Sequence, residues 1–433
     1  MNFKREHQSE SFLVDAFFCI FAQKKYNFKI TLFQEKMTHT TKAVSSRLLS
    51  LDVLRGITIA GMIMVNNPGS WSTIYAPLGH AQWNGLTPTD LVFPFFMFIM
   101  GVSMYLSYKK FDFKISGQTF TKLLRRSVLL FLIGLALGWF SLFMRQLNGL
   151  RGEEMGVLAK IWEAVSNLEN LRILGVLQRL ALVSFFGSLI VLLVKPKRIP
   201  WIIGFILLFY WILMAATNSF ALSEDSLVAV IDRAVLGATH MYTDHLPDGT
   251  AIIFDPEGLL STLPCLAHVL LGFWVGKLIS ESKENGERIQ KLFLFGTFIL
   301  FAGFLLDYGF PINKKIWSSS FVLATCGLAS LFLGLLIWII DMKHKKKWSV
   351  FFESFGVNPM FIYVVAGILS ILLGNIGFVN YGEWISTKSF LYSHWINPIF
   401  GDYLGSLVYA LVFVTINWYI GHILYKKKIY IKL

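Results

Sequence analysis

The run GHAQWNGLTPTD, residues 79–90, places an imidazole, an indole, an amide and a carboxylate close together in the chain. Histidine is the side chain most easily used as a base near neutral pH, its ordinary pKa being about 6.5. A solitary loop histidine is more often solvated or structural, so His80 gains interest only from its neighbours. Asp90 either caps the helix that follows, where the dipole favours an acid, or orients and charge-stabilises His80 as a third group supports a base. Trp83 and Asn84, lying between them, are candidates for contact with a bound substrate.

These groups run directly into LVFPFFMFIMG, which is built for lipid. Of the 433 residues, 55% are hydrophobic, 16% aromatic and only 15% charged. A soluble domain carries about 25% charged residues, so the composition excludes that class. Apolar segments fall near 51–67, 90–108, 124–143, 171–194, 200–218, 258–280, 290–308, 317–341, 350–373 and 402–425. The expected fold is therefore all-α, a polytopic transmembrane helix bundle of about ten spans in a lipid bilayer. Residues 374–401 are aromatic but too polar for lipid, and read as an interfacial or re-entrant piece.

Lysine and arginine resist translocation, and KKFDFKISGQTFTKLLRR, KPKR, KHKKK and the tail KKKIYIKL fall on one side of such a walk. Both termini are expected to be cytoplasmic. The net charge of +13 then follows from topology, with no nucleic-acid partner implied. The pattern suits a bacterial inner membrane with the His80 loop in the periplasm. Residues 1–45 read as an N-terminal extension and 46–433 as the transmembrane domain. FLVDAFFCIFA is broken by Asp15 and too short to span, while Met37 offers an alternative start. Cys19, Cys265 and Cys326 form no disulfide framework, and no metal-ligand spacing stands out.

Polar groups within a bilayer are costly and require a partner or a purpose. Asp52 and Arg55 open the first span and Asn66 and Asn67 close it; the plain reading is a local ion pair plus capping. Gln178 and Arg179 lie within the fourth span, where Arg179 needs either an acidic partner or an anionic ligand. Asp255 and Glu257 stand before the sixth span and either cap it or recognise a cationic substrate. His268, deeper in that span, reads as an interhelical hydrogen-bonder. Lys122, Arg125 and Arg126 are mainly topological markers, with phosphate binding as their second use.

The blocks RLLSLDVLRGITIAGMIMVNNPG and GHAQWNGLTPTDLVFPFFMFIMG, followed in order by RILGVLQRL, IDRAVLG, FDPEGLLSTL, INKKIWSSSFVLATCG and, more loosely, FGVNPMFIYV, resemble the heparan-alpha-glucosaminide N-acetyltransferase family. They cover nearly everything from about residue 46 to 365. The resemblance implies a membrane acetyltransferase that takes acetyl from cytoplasmic acetyl-CoA and places it on the amino group of a terminal glucosamine-type sugar across the membrane. It implies a homodimer as well. By the same likeness the catalytic histidine falls on His80, its supporting asparagine on Asn66 and the acidic residue on Asp90. Given that chemistry, depth and charge make Asp52, Arg55, Arg125 and Arg126 candidates for the CoA entrance, with Gln178 and Arg179 deeper along it. Trp83, Asn84, Asp255 and Glu257 become candidates for the sugar, and no metal is implied. NNPGSWSTIYAPLG departs from the family's glycine-rich segment. The competing reading is a transporter or flippase of a sugar or lipid-linked solute, for which prolines 94, 264 and 359 would break the helices.

Overall fold

The computed structural model describes residues 48–246 and 248–431. The expected extension 1–45 lies outside them. Helix α1 spans Leu49–Val65, α2 Val92–Tyr108, α3 Gly117–Gly149, α4 Val157–Ser166, α5 Val176–Leu193, α6 Ile199–Ala216 and α7 Leu227–Leu236. They are followed by α8 Thr262–Glu281, α9 Asn285–Asp307, α10 Ser319–Leu336, α11 Val350–Val357, α12 Pro359–Asn375 and α13 Asp402–Lys426.

Among the described residues, eight helical segments are long and apolar enough to cross a membrane, and a bent pair makes a ninth. The difference from ten lies in α1, whose 17 residues put it at the short end of the spanning range, about 17–25. The expected span 350–373 is two helices meeting at 77°. Proline explains the break: Pro359 starts α12, lacks an amide hydrogen and disfavours helical geometry at Asn358. Asn358 is buried at the joint and holds the segment after α13, its Nδ2 donating to Ile429 O at 2.8 Å and its Oδ1 accepting from Ile431 N at 2.8 Å.

The fold is not wholly α. Among the described residues are two short antiparallel hairpins, β1 Thr243–His245 with β2 Ala251–Ile253, and β3 Gly377–Asn380 with β4 Glu383–Ser386. The second occupies the polar region 374–401 and is fastened just beyond α3, where Arg151 stacks 3.9 Å over the Trp384 ring, while Asn148 of α3 donates to Asn375 at the end of α12 at 3.0 Å.

At the centre α2 and α8 run parallel in direct backbone contact. A Cβ on Gly101 would lie 2.1 Å from Val269 O, and one on Gly272 would lie 2.2 Å from Phe98 O. Both positions are small because the helix backbones touch, an arrangement that replaces the hydrophobic drive lost in lipid with close packing. Gly101→Ala is expected to push the two helices apart at a cost of about 1–3 kcal/mol. A lowered thermal unfolding midpoint in detergent would report it, and an unchanged midpoint would contradict the close contact.

Candidate functional site

The loops 66–91, 217–261 and 308–318 meet at one end of the bundle. Gly85 N donates to Ile312 O at 2.8 Å, Asn313 Nδ2 to Asn84 Oδ1 at 3.1 Å, and Trp83 Nε1 to Phe220 O at 2.9 Å. Two threonines fold the first loop back on itself, Thr87 Oγ1 donating to Gly79 O at 2.8 Å and Thr89 Oγ1 to Pro77 O at 3.1 Å. His80 is thereby returned to Asp90, with Nδ1 2.6 Å from Oδ1. Asp90 is both the cap and the partner. Pro88 begins a single 3-10 turn, and Thr87 and Asp90 form a reciprocal capping box. Oδ2 accepts from Ala81 N at 3.0 Å and Thr87 N at 3.1 Å, and Thr87 Oγ1, 3.0 Å away, shares its single hydrogen between Oδ2 and Gly79 O.

Asp90 is 1% exposed and the His80 side chain 46% exposed. With its Nδ1 hydrogen given to the carboxylate, the imidazole keeps a lone pair on Nε2. A third group completes the arrangement: Lys314 Nζ lies 3.0 Å from His80 Nδ1, 3.4 Å from Nε2 and 3.4 Å from Asp90 Oδ1. Sequence reasoning passed over Lys314, because nothing local marks a lysine between two helices as part of a site.

Beside it stands an ion-pair cluster. Arg172 clasps Asp255 with Nε and Nη2 at 3.0 and 2.6 Å and reaches Glu257 at 2.5 Å. Asp255 also accepts from Tyr242 N at 3.1 Å and Glu257 N at 2.9 Å, so its lone pairs are committed to holding the loop. Glu257 is less enclosed. Burial alone would raise its carboxyl, but Arg172 and Arg179 hold it below the usual range. Asp232 of α7, not singled out from sequence, braces the same turn by accepting from Leu259 N at 2.7 Å. Burial pushes its carboxyl up to about 6 against that hydrogen bond.

Arg179 is fully buried and belongs to this end of the bundle. Its Nη2 donates to Gly258 O at 3.0 Å and to Ser261 Oγ, and its guanidinium lies 5.4 Å from the Trp317 ring centre. Nε and Nη1 have no hydrogen-bond partner among the described residues. Gln178 is buried against α3. His268 is buried with its ring 5.9 Å from Trp317.

Asn66 ends α1 and makes no hydrogen bond to His80. It lines, with Asn67, Leu137, Tyr363 and Ser370, an open cleft of about 320 Å³ between α1, α3 and α12. Glu257 and Arg172 lie within electrostatic reach of Tyr363, which ties this cleft to the ion-pair cluster. At the other end of the bundle Arg55 pairs with Asp52 at 2.9 Å and donates to Ser103 Oγ at 2.9 Å. Arg125 and Arg126 are exposed on α3 and form no ion pair with them. Trp83 and Asn84 are tied into the loop junction, and Asn84 remains exposed.

These features define the class: a multi-pass helical membrane protein with a His–Asp–Lys constellation at one end of its bundle. Within that class the chain is a relative of the heparan-alpha-glucosaminide N-acetyltransferases. It is 27% identical to the human heparan-alpha-glucosaminide N-acetyltransferase over 92% of this chain and 61% of that protein. Against the mouse heparan-alpha-glucosaminide N-acetyltransferase the identity is 25%, over 91% of this chain and 62% of the other. The chain thus spans less than two thirds of the length of either curated relative. No family model matches it.

Proposed function

We propose that the protein transfers acetyl from acetyl-CoA to the amino group of a glucosamine-type sugar, with His80 as the base. One observation carries the reading: His80 Nδ1 rests 2.6 Å from a buried carboxylate while the ring remains open to the site. An amine must be neutral to attack a thioester, and a positioned imidazole supplies that condition. The amine nitrogen forms a bond to the acetyl carbon as Nε2 takes its proton. The carbon–sulfur bond breaks, and the CoA thiolate recovers that proton from the ring. Asp90 holds the tautomer and balances the transient positive charge. By the family likeness Asn66, which lines the cleft, would donate to the developing oxyanion.

In this reading the charge distribution puts the Arg55 end on the cytoplasmic side, where Asp52, Arg55, Arg125 and Arg126 meet the nucleotide, and the His80 end outside. Trp83, Asn84 and Glu257 border the acceptor. A bacterial inner membrane and a homodimeric assembly complete the proposal. The 77° break beside the cleft favours a second reading, a transporter, since broken helices commonly frame solute sites.

Purified protein in lipid nanodiscs, given acetyl-labelled CoA and a panel of amino sugars, separates the two. Label in a glucosamine-type sugar, with none in its N-acetylated counterpart, is expected. Uptake of sugar into proteoliposomes without release of free CoA would favour transport instead.

A further inference from the structure

The loop 308–318 is held more firmly than a connection between two helices requires. Asn313 is buried and fixed three ways: Nδ2 on Asn84, N on Ser318 Oγ at 3.0 Å, and Oδ1 accepting from Ile316 N at 3.1 Å. Tyr210 OH donates to Ile316 O at 2.7 Å, and Lys315 pairs with Asp244 at 2.5 Å. Lys314 sits between these anchors and is the residue they aim. Its side chain is 21% exposed, and its ammonium reaches both the imidazole and Asp90. Such rigid support is what fixes a working group within the tolerance catalysis needs.

The hydrogen-bond inventory limits what Lys314 can do. Nδ1 carries one hydrogen or one lone pair, and with the hydrogen given to Asp90 it has nothing to accept from the ammonium. Lys314 therefore shares the carboxylate and faces the ring as a charge, with Nε2 at 3.4 Å as the one ring acceptor within its reach. Asp90 favours a positive imidazole; a cation within hydrogen-bond distance of the ring opposes one. The other charged groups near the lysine are Glu257, from the turn before α8, and Lys315, itself paired with Asp244. Burial pushes the Lys314 ammonium below the usual lysine range, while Asp90 and Glu257 hold it up.

We propose that Lys314 is a positioning residue for His80: it shares the Asp90 carboxylate and opposes protonation of the ring, keeping the Nε2 lone pair available toward lower pH. This deepens the acetyl-transfer reading and rests on it for its purpose, but its test does not need acetyl transfer. Diethyl pyrocarbonate carbethoxylates neutral imidazole, so the pH dependence of His80 labelling, quantified by peptide mass spectrometry, reports the fraction of neutral ring. Wild type, Lys314→Met, Lys314→Gln and Lys314→Arg would be compared in detergent, each first shown to keep the wild-type thermal transition.

Removing the cation is expected to move the labelling midpoint up by about one pH unit in the Met and Gln variants, with Arg retaining the wild-type midpoint. The acid limb of kcat/KM should move with it, and activity should recover at higher pH. An unchanged or lowered midpoint in whichever charge-removing variant folds would overturn the inference. If wild type acetylates no amino sugar, the functional reading fails while the labelling midpoints still decide the role of Lys314.

Discussion

His80→Ala is expected to lower the single-turnover rate of acetyl transfer by about 10²- to 10⁴-fold, the usual contribution of a positioned base. The fold should survive, since the His80 side chain is 46% exposed and its ring packs into no core. Losing it frees Oδ1 of Asp90, yet that oxygen keeps Lys314 at 3.4 Å, and the three donors to Oδ2 are untouched. Carboxylate burial is thus still compensated, and a thermal midpoint near the wild-type value is the expected control. Imidazole added to the Ala variant should restore part of the rate, because the site is open where the ring stood. A wild-type rate in the variant would remove His80 from the chemistry and leave the bent helix and its cleft as the stronger functional feature.

How much of this could be seen in the sequence follows from distance along the chain. Asp90 and His80 are ten residues apart, and a proline turn between polar loop and span makes their return to one another a local event. The apolar windows likewise report helices, because a bilayer demands long uninterrupted segments whatever their neighbours do. Pro359 marked where one of them would break, though not the 77° angle, which depends on how α11 packs against α1. Lys314 was invisible for the opposite reason. It is 234 residues from His80, in a loop whose lysines look like any other charge near a membrane end, and the Asn84–Asn313 and Gly85–Ile312 contacts that bring the two loops together are tertiary.

Arg179 is an intermediate case. Its burial inside a span followed from the pattern, and so did its need for partners. What the sequence left open was direction. The structure answers with the Gly258 carbonyl and Ser261 at the start of α8, close to the ion-pair cluster rather than to the Asp52–Arg55 pair. Asp255 shows how a candidate binding acid becomes structural: once Arg172, Tyr242 N and Glu257 N have taken its oxygens, little remains to offer a ligand.

Asp90→Asn is expected to lower kcat by about 10³- to 10⁴-fold, as losing the carboxylate behind a catalytic imidazole does elsewhere. The reason is geometric, since asparagine has one acceptor oxygen where aspartate has two. If that oxygen takes the Oδ2 place, it keeps Ala81 N, Thr87 N and Thr87 Oγ1, but the NH2 group then faces His80 Nδ1. Nδ1 must become the acceptor, the hydrogen moves to Nε2, and the base is lost. If the amide is turned the other way, His80 keeps its tautomer, but the NH2 group confronts the Ala81 and Thr87 backbone donors and the capping turn loosens. The first orientation keeps more hydrogen bonds and should dominate, giving a folded, slow enzyme. Its deficit should persist as pH rises, because it comes from the position of a hydrogen and not from protonation of the ring, whereas the deficit of Lys314→Met should disappear at high pH. Asp90→Asn with a rate within threefold of wild type would show that His80 does not depend on Asp90 for its tautomer.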